Sequence, residues 1–318
     1  MMATSVRKRI TGVVSVTSGC LGVVYVVWLL RTSVDDFDDG LVPAAAVLAL
    51  ATFTRLLALS SAASGFLAVH EPEDRTVRVL HGYAVSQLAK YLPGGVWQPA
   101  GQISIVVGGD TSMRRAVGGY AWGMVAYLGA ASLIATGVAV FPDPPLPTVW
   151  RVVALAGLAT PLLLLPVVPR AVSGVLGRFR RHDGPAVPPP TSRRLGASVG
   201  AFVVSMGIEG VGFAFLLRNL LPSVGFGAAV TAFAAAWLVG VLAVPVPSGI
   251  GVREAVLVAI LGAAATGPVL AASLAARLTS MVAELVFTGV TTAAHYRLTR
   301  RMTARAASDH APSAGSPR

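Results

Sequence analysis

The sequence has little charge and almost no cysteine. Only 12% of its 318 residues are charged, whereas soluble globular proteins carry about 25%. Hydrophobic residues make up 54% of the chain, and the mean hydropathy is +0.72. Several apolar runs reach the roughly 20 residues that a helix needs to cross a bilayer core. The composition therefore excludes a soluble globule and indicates an all-α polytopic membrane protein.

The scarcity of cysteine excludes two kinds of site. Cys20 is the only cysteine, so neither an intrachain disulfide nor a thiolate metal site can form. The histidines have no spacing typical of a metal site, and the sequence has no phosphate-binding glycine loop, nucleophile elbow or zinc-protease motif. We therefore expect no cofactor, no metal ion and no catalytic residue, and we do not expect an enzyme.

Apolar runs predict about eight crossing helices and one run that does not cross. The crossing helices are predicted at 11–30, 41–69, 116–141, 152–169, 195–217, 225–246, 251–265 and 268–294. The stretch 81–107 is interrupted by Pro93-Gly94-Gly95 and by Pro99, which leaves two arms too short to cross. It predicts a re-entrant hairpin that enters and leaves on one side. Residues 11–296 would form a single transmembrane domain.

The basic residues predict that both termini are cytosolic. If residues 1–10 are cytosolic, most arginines and Lys8 fall inside, whereas the acidic run 35–39 falls outside. This asymmetry follows the positive-inside rule, and it would collapse if 81–107 crossed once. Because the basic charge is explained in this way, no nucleic-acid partner is expected.

The same layout gives two cytosolic segments and a compartment. An Arg/Pro-rich loop is predicted at 170–194, and a basic, disordered tail at 297–318. Ala, Gly and Val are abundant, and arginine greatly outnumbers lysine, which is typical of a GC-rich bacterial genome. We therefore expect a multi-pass protein of the bacterial cytoplasmic membrane.

Two Gly/Pro breaks interrupt the apolar pattern at matching places. The second, Pro245-Val246-Pro247-Ser248-Gly249-Ile250-Gly251-Val252-Arg253-Glu254, also carries an Arg-Glu pair. The first, Leu92-Pro93-Gly94-Gly95-Val96, likewise follows the second helix of its half. Lipid tolerates broken backbone only where protein or a wet cavity satisfies it, and paired breaks in a repeat are typical of transporter sites. The pattern predicts a two-half internal repeat.

Ionisable residues within the predicted membrane domain are the candidate substrate path. Charges there must be paired or must line a cavity. One interpretation is a cavity that accepts a lipid headgroup on its arginines, and the alternative is plain ion pairing between helices. Ser205, Glu209 and Gly212 form a polar stripe that would pack against a neighbour or line a groove. The substrate-path candidates are Arg253, Glu254, Arg277, Glu284, Glu209, Arg55, Lys90 and Gln98, and the hinge candidates are Pro93, Gly94, Gly95, Pro245, Pro247, Gly249 and Gly251.

These breaks resemble motifs of the lysylphosphatidylglycerol synthase transmembrane-region family. The family pattern is Pro-x-Pro-Gly-Gly-Leu-Gly-x-Arg-Glu, and here Ser248 stands for a glycine and Ile250 for the leucine. Tyr91-Leu92-Pro93-Gly94-Gly95-Val96-Trp97 is similar to the family's Tyr-x-Pro-Gly segment. The resemblance implies a lipid-translocating module. In full-length synthases, such a module moves aminoacylated phosphatidylglycerol to the outer leaflet.

The resemblance leaves the substrate open. The synthases carry a cytosolic transferase domain after the membrane module, and we expect this chain to act without one. Stand-alone relatives are associated with glycolipid and polyprenyl-linked pathways. We therefore expect a flippase or scramblase-like translocator of a phospholipid or lipid-linked headgroup, with membrane lipids as partners. The alternatives are a partner subunit of a glycosyltransferase or lipid synthase, and a membrane-embedded lipid transferase.

Overall fold

Eight α-helices account for most of the described chain. The computed structural model describes residues 44–70, 76–92, 96–107, 111–137, 152, 189–242, 249 and 251–309, with side chains from residue 45 to residue 300. The helices are α1 (Ala44–Val69), α2 (Thr76–Ala89), α3 (Trp97–Val106), α4 (Met113–Ala135), α5 (Ser192–Leu220), α6 (Phe226–Leu242), α7 (Val252–Leu261) and α8 (Thr266–Asp309). A 3-10 turn, Ala263–Ala265, leads into α8.

Four helices among the described residues are long and apolar enough to cross a membrane. They are Ala45–Val69, Met113–Ala135, Ser192–Leu220 and Ala263–Arg300. The first three correspond to α1, α4 and α5, and the fourth comprises the 3-10 turn and most of α8. The prediction of an all-α multi-pass membrane protein is confirmed at this level. The crossing predicted at 11–30 and nearly all of the one at 152–169 lie outside the described residues.

Two predicted segments differ from the structure in length. The crossing predicted at 251–265 contains α7, which has only 10 residues, or about 15 Å of helix. It ends at Gly262, whose φ of 94° is a left-handed conformation that favours glycine. In contrast, α8 continues to Asp309, past the predicted end of the membrane domain at 296. Its alanines and arginines are strong helix formers.

The described helices repeat one order of lengths. In α1 to α4, a long helix is followed by two short helices and another long one, and α5 to α8 have the same order. The short pairs contain 14 and 10 residues in the first case and 17 and 10 in the second. Each Gly/Pro break lies between the two short helices of its set. Residues 93–95, 243–248 and 250, which include most of these breaks, are outside the described residues.

The two sets are joined mainly through α1 and α5, which pack closely through small residues. Three serine hydroxyls donate across this contact to backbone carbonyls: Ser61 to Ala201 at 2.7 Å, Ser198 to Gly65 at 2.8 Å and Ser205 to Ala58 at 2.9 Å. Hydroxyl bonds between helices are a common means of association in lipid. The predicted Ser205 stripe therefore packs α5 onto α1.

Candidate functional site

An internal cavity of about 310 Å³ lies where both sets of helices meet. Its walls come from α1, α4, α5, α6, α7 and α8, together with residues beside the break between α2 and α3. Lys90 and Gln98 flank the first break, whereas Gly249 and Arg253 belong to the second, and all four line the cavity. Described residues beside the two breaks, which are far apart in sequence, thus line the same space.

One side of the cavity holds a chain of ion pairs from four parts of the fold. Arg55 of α1 pairs with Glu209 of α5, and its other Nη atom lies 2.7 Å from Oε1 of Glu284 on α8. Lys90 donates to the same oxygen, and the Tyr91 hydroxyl donates to Glu284 Oε2 at 3.1 Å. The Glu284 side chain is 0% exposed. This carboxylate therefore depends on its three donors in place of water.

The other side of the cavity is organised around Glu254, near the start of α7. The backbone N–H of Gly251 donates to Glu254 Oε2 at 2.7 Å, which also places a negative charge favourably at the N-terminal end of the helix. Ser273 and Arg277, both on α8, donate to Oε1 at 2.6 and 2.8 Å. Glu254 thus fixes the start of α7 and joins α7 to α8.

Arg253 lines the cavity and packs against two glycines. A Cβ atom added to Gly240 would lie 2.6 Å from Cγ and 2.8 Å from Nε of Arg253, so only glycine leaves room there. One added to Gly249, whose φ is 64°, would lie 3.1 Å from the same Nε. The guanidinium carbon is 6.0 Å from the ring centre of Trp237, a cation–π distance. The two glycines therefore create the space that this arginine occupies.

The charges at the cavity do not cancel. Three arginines and three glutamates at the cavity would balance in charge, but Lys90 also reaches the network through Glu284. Four cations and three carboxylates are therefore brought together among the described residues. The cations are Arg55, Lys90, Arg253 and Arg277, and the carboxylates are Glu209, Glu254 and Glu284. This gives the cavity an excess of positive charge.

Comparisons with protein-family models, curated proteins and solved structures gave no match. Membership of the lysylphosphatidylglycerol synthase transmembrane-region family, which the two breaks suggest, therefore stays a prediction. A function for this chain has to be inferred from the cavity itself.

All eight substrate-path candidates lie in or beside the cavity. Arg55, Lys90, Gln98, Glu209, Arg253 and Arg277 line it directly, and Glu254 and Glu284 bind its cations. Among the hinge candidates, Gly249 lines the cavity and Gly251 precedes α7 with a φ of 83°. The remaining five, Pro93, Gly94, Gly95, Pro245 and Pro247, fall outside the described residues.

Three residues at the site were not predicted from the sequence. Tyr127 donates to Glu209 at 3.5 Å, Trp237 lies beside Arg253, and Ser273 binds Glu254. All three lie within apolar helical runs, where aromatic and small polar residues are common for packing reasons alone. The four-residue spacing of Ser273 and Arg277 was an available signal, because it predicts a polar face on α8.

Proposed function

We propose that this chain moves lipid headgroups across a bacterial cytoplasmic membrane, as a flippase or scramblase-like translocator with its termini in the cytosol. The observation that carries the proposal is the charged cavity to which all four membrane-length helices contribute walls. Ionisable side chains are expensive within the apolar part of a membrane and mark pathways for polar substrates. Here seven such residues come from five different parts of the fold and meet at one space.

The size and walls of the cavity favour a headgroup with its acyl chains outside. A volume of about 310 Å³ suits a small polar group but is too small for two acyl chains as well. A translocator needs only to shield the headgroup from the apolar core, because the chains remain in lipid. The cavity also contains aromatic and apolar walls from α4, α5 and α6, which fit the glycerol and ester region next to a headgroup.

The repeated helix order supports an arrangement of inverted halves. We propose that α6 and α7, which together lie between two spanning helices, form a second hairpin and replace two of the eight predicted crossings. The predicted charge distribution makes α1 and α5 run in opposite directions, so the two hairpins would enter from opposite sides. Inverted repeats with broken helices at the midplane are a recurring architecture of transporters. The two breaks would then act as the hinges of the path.

Transport by purified protein in liposomes tests this proposal. Vesicles contain fluorescent phospholipids in both leaflets, and an impermeant reductant bleaches the outer leaflet. We expect bleaching to proceed past one half when the protein is present. Bleaching that stops at one half for anionic, zwitterionic and polyprenyl-linked probes alike would contradict translocation.

A cavity-filling variant ties the transport to this site. Ala276 lines the cavity, whereas Ala271 is exposed on the same helix. We expect Ala276→Phe to slow bleaching by about tenfold or more, because the ring occupies the path, and Ala271→Phe to transport at nearly the wild-type rate. Equal rates for the two variants would mean that lipids cross elsewhere.

A further inference from the structure

Each carboxylate at the cavity already has a cation. Glu209 is paired with Arg55, and Glu284 with both Arg55 and Lys90. Glu254 is paired with Arg277. None of these three acids forms an ion pair with Arg253, so Arg253 is the cavity cation for which the described residues supply no paired carboxylate.

The surroundings of Arg253 also leave a hydrogen-bond donor of its guanidinium available. Its Nε atom is buried and has no hydrogen-bond partner. The flat guanidinium lies near Trp237, which attracts the cation through its ring face but offers no acceptor oxygen. Gly240 and Gly249 provide space and no side-chain acceptor. An oxygen-rich anion in the cavity would supply both the missing charge and the missing acceptors.

A guanidinium in this position fits a phosphate best. A buried charge without a partner is costly, and binding an anion removes that cost. Arginine binds phosphate through two parallel hydrogen bonds, a geometry that matches its planar fork. The excess of one positive charge matches one negative charge on the ligand.

We propose that the cavity selects a lipid with a single phosphodiester anion and an uncharged headgroup, bound by Arg253. This inference rests on the proposed translocation and specifies its substrate class. Two sources share the chemistry: phosphatidylglycerol and a sugar joined to a polyprenol through one phosphate. A diphosphate lipid carries more negative charge than Arg253 balances.

The same charge count argues against lipids with an ammonium group. Phosphatidylethanolamine, phosphatidylcholine and the aminoacylated phosphatidylglycerol implied by the resemblance all carry one. A bound ammonium would need a carboxylate, but Glu209, Glu254 and Glu284 are occupied by cations of the protein. The cavity therefore offers a binding partner to the phosphate of such a lipid and none to its amine.

Binding to the purified full chain in an uncharged maltoside detergent tests the selectivity directly. Native mass spectrometry would compare dioctanoyl phosphatidylglycerol with dioctanoyl phosphatidylcholine and lysyl-phosphatidylglycerol, and a short polyprenyl phosphosugar with its diphosphate counterpart. We expect the single-phosphate lipids with uncharged headgroups to bind about tenfold more tightly than the others. The stronger of the two favoured probes identifies the source. Equal binding of all five, or preference for lysyl-phosphatidylglycerol or the diphosphate, would overturn the proposal.

Variants at Arg253 test whether this residue carries the preference. We expect Arg253→Gln to lower affinity for the favoured lipid about tenfold or more and Arg253→Lys to retain part of it, because charge remains but the fork is lost. Arg218→Gln is the matched control, since Arg218 is exposed at the end of α5. Thermal melting of each variant checks its fold. Unchanged affinity in folded Arg253→Gln would also overturn the proposal, and wild-type selectivity tests it even if that variant fails to fold.

Binding and transport fail independently. Selective binding without bleaching past one half would contradict translocation and leave the assignment of the ligand intact. Equal transport of phosphatidylglycerol and phosphatidylcholine, unaffected by Arg253→Gln, would leave translocation intact and overturn the charge selectivity.

Discussion

At the scale of single residues, Glu284 is the most completely buried ionisable side chain among the described residues. It is 0% exposed and accepts hydrogen bonds from Arg55, Lys90 and Tyr91, which lie on α1 and beside the first break. A carboxylate so placed holds three separate segments together and forms ion pairs with two cations. Its loss leaves those cations in an apolar surrounding.

We predict that Glu284→Gln destabilises the protein by about 3–5 kcal/mol, the usual result of breaking a buried ion pair from one side. Thermal unfolding in detergent measures the effect. Because the cost comes from an uncompensated charge, the double variant Lys90→Met with Glu284→Gln should recover part of the loss. A double variant as unstable as the sum of its two single variants would argue against coupling between these side chains.

A second prediction at this scale concerns backbone conformation. Gly251 has a φ of 83°, and no atom outside its own chain neighbourhood lies within 4 Å of a Cβ placed there. Gly251→Ala should therefore destabilise the protein by about 1–2 kcal/mol through strain at positive φ alone. Gly289, in the middle of α8, is also free of contacts but has no positive φ. The same change there should raise stability by about 0.5–1 kcal/mol. Thermal unfolding of both variants would reveal whether the signs differ, and equal signs would contradict this account.

At the scale of elements, sequence patterns predict helices better than they predict partners. The bounds of α1, α4, α5 and α6 agree with the predicted runs to within a few residues at most ends, because apolar runs bounded by turn residues define a helix locally. The sequence did not predict that α7 ends at Leu261. The helix stops there because Gly262 adopts a positive φ, and a hydropathy pattern contains no information on backbone conformation.

The pairing of charges could not be read from the sequence. Lys90 and Glu284 are 194 residues apart, and Arg55 and Glu209 are 154 apart. Such contacts depend on how α1, α5 and α8 pack around the first break, which no local pattern encodes. The sequence identified which residues would be costly to bury, and these residues lie at or beside the cavity. It gave no means of separating Arg253 from the arginines that form ion pairs.

At the scale of the whole molecule, the feature to test is the side of the membrane from which each of the two proposed hairpins enters. Cys20 is the only cysteine, so a Cys20→Ser background permits single cysteines elsewhere. We expect cysteines at Thr76 and Ser112, which flank the first hairpin, to react with an impermeant maleimide only from the cytosolic face. Cysteines at Ser223 and Ala264, which flank the second, should react only from the opposite face, because both hairpins return to the side from which they enter.

Labelling of right-side-out and inverted vesicles measures this arrangement. Any variant that is not labelled in either vesicle type is treated again after detergent solubilisation, which shows whether its cysteine is buried in the protein. Reaction of Thr76 and Ser112 from opposite faces would mean that the segment between them crosses the membrane, and it would contradict the inverted halves.

The three serine bonds between α1 and α5 have a mechanical consequence. Each hydroxyl meets a carbonyl on the opposite helix, and two of the bonds run from α5 to α1 while one runs back. Sliding one helix along the other by one turn, about 5.4 Å, would break all three at once. The two helices therefore resist sliding past each other, and we expect them to move as one rigid unit. If the cavity carries a headgroup as proposed, we expect the movement in the helices around this pair.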